Sequence, residues 1–227
     1  MKAIFIDIDN TILDFDEYTK YILEKGFSDF SLGKFEPYML DTFHEVNNQL
    51  WRQIEKGEIS MPELQKIRFQ RFFDKLGINF NGITFEKYYK INLNESAIPV
   101  NHAYEMLEYL SKKYILCVAS NGPYNQQLNR LRIAKMDKYF KYFFVSEKLG
   151  HSKPSKEFFA EVFKELNKNQ EVLPNETWII GDSLTSDMAG GKNFGLKTCF
   201  YNKKNIDVSE INVDLVINDL IDTLISL

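Results

Sequence analysis

The chain has 227 residues, of which 44% are apolar and 26% are charged. This length and composition are typical of a globular protein with one core, or with a core and a small second domain, and they exclude a disordered chain. The 28 basic and 32 acidic residues give a formal net charge of −4. Because no basic surplus exists to neutralise a phosphate backbone or an anionic lipid surface, we expect neither nucleic acid nor a membrane as a partner.

The first predicted strand covers residues 2–6, and a predicted helical segment follows it. Within residues 16–95, apolar positions recur at helical spacing from Phe43 to Ile54 and again from Leu64 to Leu76. The run 60–63, Ser-Met-Pro-Glu, has the form of a capping box with proline in the first turn of a helix. The pattern predicts a small all-helical domain, residues 16–95, inserted into a core domain made of residues 1–15 and 96–227.

The remainder of the chain alternates between predicted strands and predicted helices. The predicted strands are 114–119, 142–145, 177–180, 196–201 and 214–217, and the predicted helices are 101–112, 123–136, 155–167 and 185–194. Continuous apolar strands that alternate with helices predict an α/β fold, a Rossmann-like parallel sheet with helices on both faces. Ligands of such sheets bind beyond the carboxyl ends of the strands.

Two cysteines, Cys117 and Cys199, lie in strand-like segments with no second thiol or histidine at metal-ligand spacing. They predict reduced, buried thiols rather than a disulfide or a zinc site. The longest apolar runs are too short to cross a bilayer or to form the core of a signal peptide. Together these features predict a cytoplasmic protein.

Acidic side chains follow two of the predicted strands. Asp7 and Asp9 come after the first strand, and Asp182 and Asp187 come after the strand at 177–180. Each pair alone is also what a polar turn looks like. Four carboxylates at one edge of a sheet would repel one another without a cation, and a site of oxygen ligands alone suits Mg²⁺ best.

Groups suited to an anion follow two further segments. Ser120, Asn121 and Gly122 offer a hydroxyl and backbone N–H groups before a predicted helix. Lys153 stands before Pro154 and another predicted helix. A lysine in such a place is usually a solvated surface residue. Its combination with a hydroxyl and a carboxylate cluster is the set of groups that phosphoryl transfer uses.

This ordered set of motifs resembles that of the haloacid dehalogenase superfamily. The matching residues are Asp7, Asp9 and Thr11, then Ser120, then Lys153, then Gly181, Asp182 and Asp187. The helical insert is similar to the cap of the subclass that carries its lid between the first two motifs. The resemblance covers essentially the whole chain, and it implies a Rossmann-like core, 1–15 and 96–227, with a helical cap, 16–95.

The resemblance also implies a chemistry for these positions. Asp7 would be the nucleophile that forms an aspartyl-phosphate, and Asp9 would protonate the leaving alcohol and later deprotonate the attacking water. Mg²⁺ would be held by Asp7, by the backbone carbonyl of Asp9 and by Asp182, with Asp187 direct or through water. The phosphoryl oxygens would be gripped by Ser120, the N–H of Asn121 and Lys153. The Thr11 hydroxyl would hold the Asp7 loop in register.

Parts of the chain further resemble bacterial pyrimidine 5′-nucleotidases. The matching stretches are 11–15, 48–51, 55–60, 68–72 and 121–123, with Gln126, Gln127 and Arg130. We therefore expect a Mg²⁺-dependent phosphomonoesterase that hydrolyses nucleoside 5′-monophosphates, with pyrimidines preferred. Its partner would be that small phosphorylated substrate, and the protein would be a monomer or a weak homodimer.

Other functions share the same core residues. A sugar-phosphate phosphatase of the N-acylneuraminate 9-phosphate type and a phosphomutase would differ in the contacts of the cap. Superfamily dehalogenases need no Mg²⁺, and the acids at Asp9 and Asp187 favour the phosphate-handling branch. A nucleotide-binding protein without turnover is the alternative from another class, and the filled catalytic positions disfavour it.

Three residues in or next to the helical segment are candidates for substrate specificity: Arg68, Trp51 and Phe15. Arg68 shares the apolar stripe of Leu64, so it either contacts substrate or pairs with an acid such as Glu55, and we favour the pairing. Trp51 is also expected in a packed helical core. Phe15 follows the catalytic loop and is a candidate hinge residue.

Overall fold

The computed structural model describes residues 2–168, 171–208 and 212–227. The chain forms two compact units, which we call the sheet unit, Met1–Asp14 with Ala97–Leu227, and the helical unit, Phe15–Ser96. No helix in the described ranges combines the length and the apolar character that a membrane span requires.

The sheet unit is built on six parallel strands in the order β3-β2-β1-β4-β5-β6. The strands are β1 (Ala3–Ile6), β2 (Ile115–Ser120), β3 (Tyr142–Val145), β4 (Trp178–Gly181), β5 (Lys197–Tyr201) and β6 (Leu215–Ile217). The predicted α/β class with a Rossmann-like parallel sheet is confirmed. All six predicted strands are present, with ends that differ by at most one residue.

Apolar cores cover both faces of the sheet. Along β1, Ile4 and Ile6 belong to one buried cluster, whereas Ala3 and Phe5 belong to another. Successive side chains of a strand point to opposite faces, so a strand buried on both sides needs an uninterrupted apolar run. This explains why the sequence of β1 does not alternate between apolar and polar residues.

Helices and short helical turns lie between the strands of the sheet unit and after the last strand. They are α5 (Ala103–Ser111), α6 (Tyr124–Ile133), α7 (Ser146–Leu149), α8 (Lys156–Leu166), a π-helical turn (Leu184–Met188), α9 (Ala189–Phe194), α10 (Thr223–Ser226) and 3₁₀ turns at Asp137–Tyr139, Pro174–Glu176 and Leu220–Asp222. The predicted helix at 185–194 is therefore divided into a π-helical turn and α9. π-Helical turns within helices are frequent at functional sites.

The helical unit contains α1 (Phe15–Asp29), α2 (Pro37–Glu55), α3 (Met61–Leu76) and α4 (Gly82–Asn94). Ser60 and Glu63 form the predicted capping box at the start of α3. The sequence pattern shows α2 and α3 individually but not α4, which is rich in β-branched and aromatic residues of low helix propensity. Packing stabilises α4 instead, because Phe85 and Tyr89 are fully buried in an aromatic core.

Candidate active site

The candidate site lies at the carboxyl end of the central strand. β1 pairs with β2 on one side and with β4 on the other, so the direction of strand progression reverses at β1, and parallel sheets bind ligands at such a point. Asp7 follows β1 directly and its N–H donates to the Ile180 carbonyl of β4 at 3.0 Å. Ser120 is the last residue of β2, and Asp182 follows β4. The sheet thus brings residues from three distant parts of the chain to one edge.

Three carboxylates meet at this edge. Each of Asp7, Asp182 and Asp187 offers an oxygen atom within 4.8 Å of the other two. Asp187 is fully buried, and its carboxylate accepts a hydrogen bond from the Ser183 N–H at 3.2 Å. A side chain at Gly181 would place its Cβ 2.2 Å from Asp187 Oδ2, so the close approach of this carboxylate to β4 requires glycine.

Lys153 is buried between two of these acids. Its Nζ donates to Asp7 Oδ1 at 2.8 Å, to Asp187 Oδ1 at 2.6 Å and to the Ala119 carbonyl, which uses all three ammonium protons. Burial disfavours the charged ammonium, but the carboxylates of Asp187 and Asp7 outweigh it and raise the pKa of Lys153. Lys153 is therefore a central part of the site and not a solvated surface residue.

Asp7 has a strongly shifted pKa. Burial is the largest cause; the positive charge of Lys153 lowers this pKa, whereas the negative charges of Asp187 and Asp9 raise it, and the net result is a pKa of about 7. Burial and the neighbouring negative charges therefore disfavour the ionised form of Asp7. Perturbed carboxyl groups of this kind are concentrated at functional sites.

The loop after β2 holds the Lys153 segment by its backbone. The Asn121 side chain accepts from the Lys153 N–H at 2.9 Å and donates to the Lys153 carbonyl at 2.8 Å. The Gly122 N–H donates to Ser146 Oγ at 3.1 Å. The resemblance implies only a contact between the Asn121 backbone N–H and phosphate. The structure adds the two hydrogen bonds between the Asn121 side chain and the Lys153 backbone.

The carboxylate of Asp9 lies outside the three-carboxylate group. Its Oδ1 accepts from Arg130 at 2.5 Å and its Oδ2 accepts from Gln127 at 2.7 Å. Gln127 also donates to Ser120 Oγ at 3.0 Å. The predicted convergence of four carboxylate side chains is therefore corrected to three, because two polar side chains of α6 bind the fourth.

Thr11 does not make the predicted hydroxyl contact. The side chain is fully buried, and Oγ1 has no hydrogen-bond partner among the described residues. Backbone bonds order this loop instead, since the N–H groups of Ile12 and Leu13 both donate to the Ile8 carbonyl, at 3.0 and 2.9 Å.

The three candidate specificity residues, Arg68, Trp51 and Phe15, all lie in the helical unit. Arg68 is buried, forms a two-bond ion pair with Glu86 and donates to Asn47. The pairing with an acid that we favoured is thus present, although the partner shown is Glu86. Trp51 is partly buried against a small apolar cluster, and Phe15 packs at the edge of the aromatic core.

Sequence reasoning assigned no role to Gln127 and Arg130, which both lie on α6 and are almost completely buried. The signal was present as two long polar side chains three residues apart on a helix whose buried face also holds Leu131. Buried polar groups of this kind need partners. Their shared partner Asp9 lies more than one hundred residues earlier in the chain, where no local pattern reveals it.

Comparison with known proteins agrees with this architecture. The family model described as haloacid dehalogenase-like hydrolase matches residues 4–201. HAD-hydrolase YfnB of Bacillus subtilis is 32% identical over 88% of this chain and 84% of its own length. Its magnesium-bound crystal structure has a TM-score of 0.89 and covers 100% of this chain and 98% of that one, with 31% identity.

Two further relatives carry more specific names. Pyrimidine 5′-nucleotidase PynA of Streptococcus pneumoniae is 31% identical over 91% of this chain and 86% of its own length. Pyrimidine 5′-nucleotidase YjjG of Escherichia coli is 28% identical over 88% of this chain and 85% of its own length.

The match of the family model over most of the chain and the shared fold lead to one conclusion: this chain is an enzyme of the haloacid dehalogenase-like hydrolase family.

Proposed function

We propose that the protein is a cytoplasmic, Mg²⁺-dependent phosphomonoesterase that hydrolyses nucleoside 5′-monophosphates through an aspartyl-phosphate on Asp7. One observation carries the proposal: Asp7 directly follows the central strand and lies with Asp182, Asp187 and a buried ammonium at the point where parallel sheets bind ligands. The relatives named as hydrolases and nucleotidases support the reaction class.

The donor set fits magnesium. Asp7, Asp182 and Asp187 supply oxygen atoms close enough to share one ion, and oxygen is the ligand that Mg²⁺ prefers. We propose that these three carboxylates and the backbone carbonyl of Asp9 hold it. When bound, the ion would neutralise charge and polarise a phosphoryl oxygen. Lys153 adds a second positive charge against Asp7 and Asp187.

The proposed reaction has two steps. An oxygen of Asp7 attacks phosphorus and forms the acyl-phosphate bond while the bond from phosphorus to the leaving oxygen breaks, and Asp9 gives its proton to that oxygen. Water then attacks phosphorus, its proton passes to Asp9, and the bond to Asp7 breaks. In both steps Ser120 and the Asn121 N–H hold the phosphoryl oxygens in place, together with the Lys153 ammonium once a phosphoryl oxygen replaces one of its three acceptors.

The substrate class is proposed from the relatives. Two of them are named pyrimidine 5′-nucleotidases and match most of this chain at about 30% identity. We propose a nucleoside 5′-monophosphate with a pyrimidine base as the preferred substrate. The helical unit, which covers the predicted segment 16–95, is proposed to serve as the cap.

The test combines one variant with a substrate panel. Asp7→Asn keeps the shape of the side chain and removes the nucleophile, so hydrolysis should be abolished while the folded state is retained. The panel comprises UMP, dUMP, dTMP, purine monophosphates, sugar phosphates and p-nitrophenyl phosphate. Asp74→Asn, at an exposed position of α3, is the matched control and should keep full activity.

Each outcome of this panel has a defined meaning. Highest kcat/KM for UMP, dUMP or dTMP supports the proposed substrate class. Faster hydrolysis of sugar phosphates would overturn that class and leave the phosphatase assignment in place. Full activity of Asp7→Asn would overturn the role of Asp7, and isomerised product would indicate a mutase.

A further inference from the structure

Two buried side chains of α6 hold both oxygens of the Asp9 carboxylate. Arg130 donates to one oxygen at 2.5 Å, and Gln127 donates to the other at 2.7 Å. Arg130 is 1% exposed and Gln127 is 2% exposed. An arginine is almost never fully buried unless it is paired, so the contact with Asp9 accounts for the position of Arg130 in the interior.

The same glutamine links three parts of the site. Its amide nitrogen donates to Ser120 Oγ at 3.0 Å as well as to Asp9, and its amide oxygen accepts from Arg130 at 2.9 Å. A Cβ at position 122 would lie 3.2 Å from this amide nitrogen, so glycine at that position leaves room for it. The network therefore connects the candidate proton-transfer group with the candidate phosphate-binding hydroxyl.

We propose that Gln127 and Arg130 are positioning residues that fix the orientation of the Asp9 carboxylate for proton transfer to the leaving oxygen. This inference rests on the proposed function, in which Asp9 is the acid and base. The Asp9 side chain is 29% exposed, so contacts on its buried side are needed to restrict its rotamers. A proton-transfer group is effective only within hydrogen-bond reach of the reacting atom.

A purely structural role for the network makes a different prediction. If Gln127 and Arg130 only fill the interior, their substitution lowers stability and reduces the activity toward all substrates equally. If they position Asp9, the loss depends on the leaving group. A nucleoside alkoxide needs a proton to depart, whereas p-nitrophenolate is stable enough to leave without one.

The experiment measures kcat/KM for UMP and for p-nitrophenyl phosphate with wild type, Gln127→Met, Arg130→Lys and the control Arg132→Met. Because kcat/KM includes only the steps through departure of the leaving group, it isolates the step in which Asp9 acts as acid. We expect Gln127→Met and Arg130→Lys to lower the value for UMP about tenfold or more and that for p-nitrophenyl phosphate less than about threefold. Arg132 lies on the same helix but is exposed, so its variant should match wild type.

The choice of variants keeps the result interpretable if Arg130 proves necessary for folding. Gln127→Met preserves the length of the side chain and removes the amide that contacts both Asp9 and Ser120, so it tests the same network without leaving a cavity. Crystal structures of both variants should show the Asp9 carboxylate displaced. Arg130→Ala with added guanidinium should regain activity toward UMP.

Equal losses for the two substrates, or unchanged kcat/KM for UMP in both variants, would overturn the positioning role while leaving the proposed phosphatase activity intact. Wild-type protein that hydrolyses neither substrate would overturn the proposed function itself, and the positioning role with it. The two failures are thus distinguished by the wild-type measurement.

Discussion

The stability of the helical unit is expected to fall when one member of the buried Arg68–Glu86 ion pair is removed without the other. Both residues are buried, at 6% and 4% exposure, and two hydrogen bonds of 2.7 and 3.1 Å join them. The guanidinium also lies 4.8 Å from the centre of the Tyr89 ring. Arg68→Met would leave the Glu86 carboxylate buried without its partner, and removal of one member of a buried pair costs about 3–5 kcal/mol.

A double-mutant cycle of Arg68→Met, Glu86→Leu and the double variant measures the interaction free energy of the two residues. Replacement of both members by apolar residues is often nearly neutral, so Arg68→Met/Glu86→Leu should recover most of the stability that Arg68→Met loses. Arg71→Met, at an exposed position of the same helix, is the control and should cost less than about 0.5 kcal/mol.

Urea unfolding followed by tryptophan fluorescence is a suitable assay. The two tryptophans are Trp51 in the helical unit and Trp178 in the sheet unit, so a Trp178→Phe background makes the signal specific to the helical unit. Equal unfolding free energies for Arg68→Met and Arg71→Met would show that loss of the Glu86 partner carries no cost. Unchanged stability together with a raised KM would instead identify Arg68 as a substrate contact.

Three further outcomes are expected. EDTA should stop hydrolysis and added Mg²⁺ should restore it, because the single ammonium of Lys153 cannot offset the repulsion among three carboxylates and a phosphate group; activity that survives chelation would contradict the metal site. The hydrogen bond with Asp219 raises the pKa of His102. The pairing of the charged imidazole with Asp219 therefore stabilises the fold below the unfolded-state pKa of about 6.5, and this stabilisation is lost as the pH rises through the folded-state pKa. The melting temperature of wild type minus that of His102→Asn should therefore be larger at about pH 6 than at about pH 9, and a difference that does not change with pH would argue against the ion pair. Cys117 and Cys199 are buried, and burial raises the pKa of Cys199 to about 12, so neither thiol should react with a thiol reagent until the protein is denatured; rapid labelling of native protein would contradict their burial.

The strands, the class of fold and the gathering of Asp7 with Asp182 could be predicted from the sequence. Each of these features depends on a local pattern, an apolar run that ends in polar residues, combined with the rule that parallel strands bring their carboxyl ends to one edge of a sheet. The capping box at Ser60 is equally local and was predicted for the same reason.

The partners of buried charged groups could not be predicted in the same way. Arg68 pairs with Glu86, eighteen residues away on the next helix, and the choice depends on how α3 packs against α4. Arg130 meets Asp9 across 121 positions of the chain. Both contacts arise from tertiary packing, which brings together residues that no helical or strand period relates.

Trapping of a phosphate group on Asp7 tests the proposed mechanism most directly. The protein is mixed rapidly with substrate and quenched with borohydride, which reduces an acyl phosphate to an alcohol, and the peptide that contains residue 7 is analysed by mass spectrometry. Homoserine is expected at position 7 in wild type and not in Asp7→Asn. Hydrolysis of substrate without any modification of residue 7, under conditions that trap a known acyl phosphate, would contradict it.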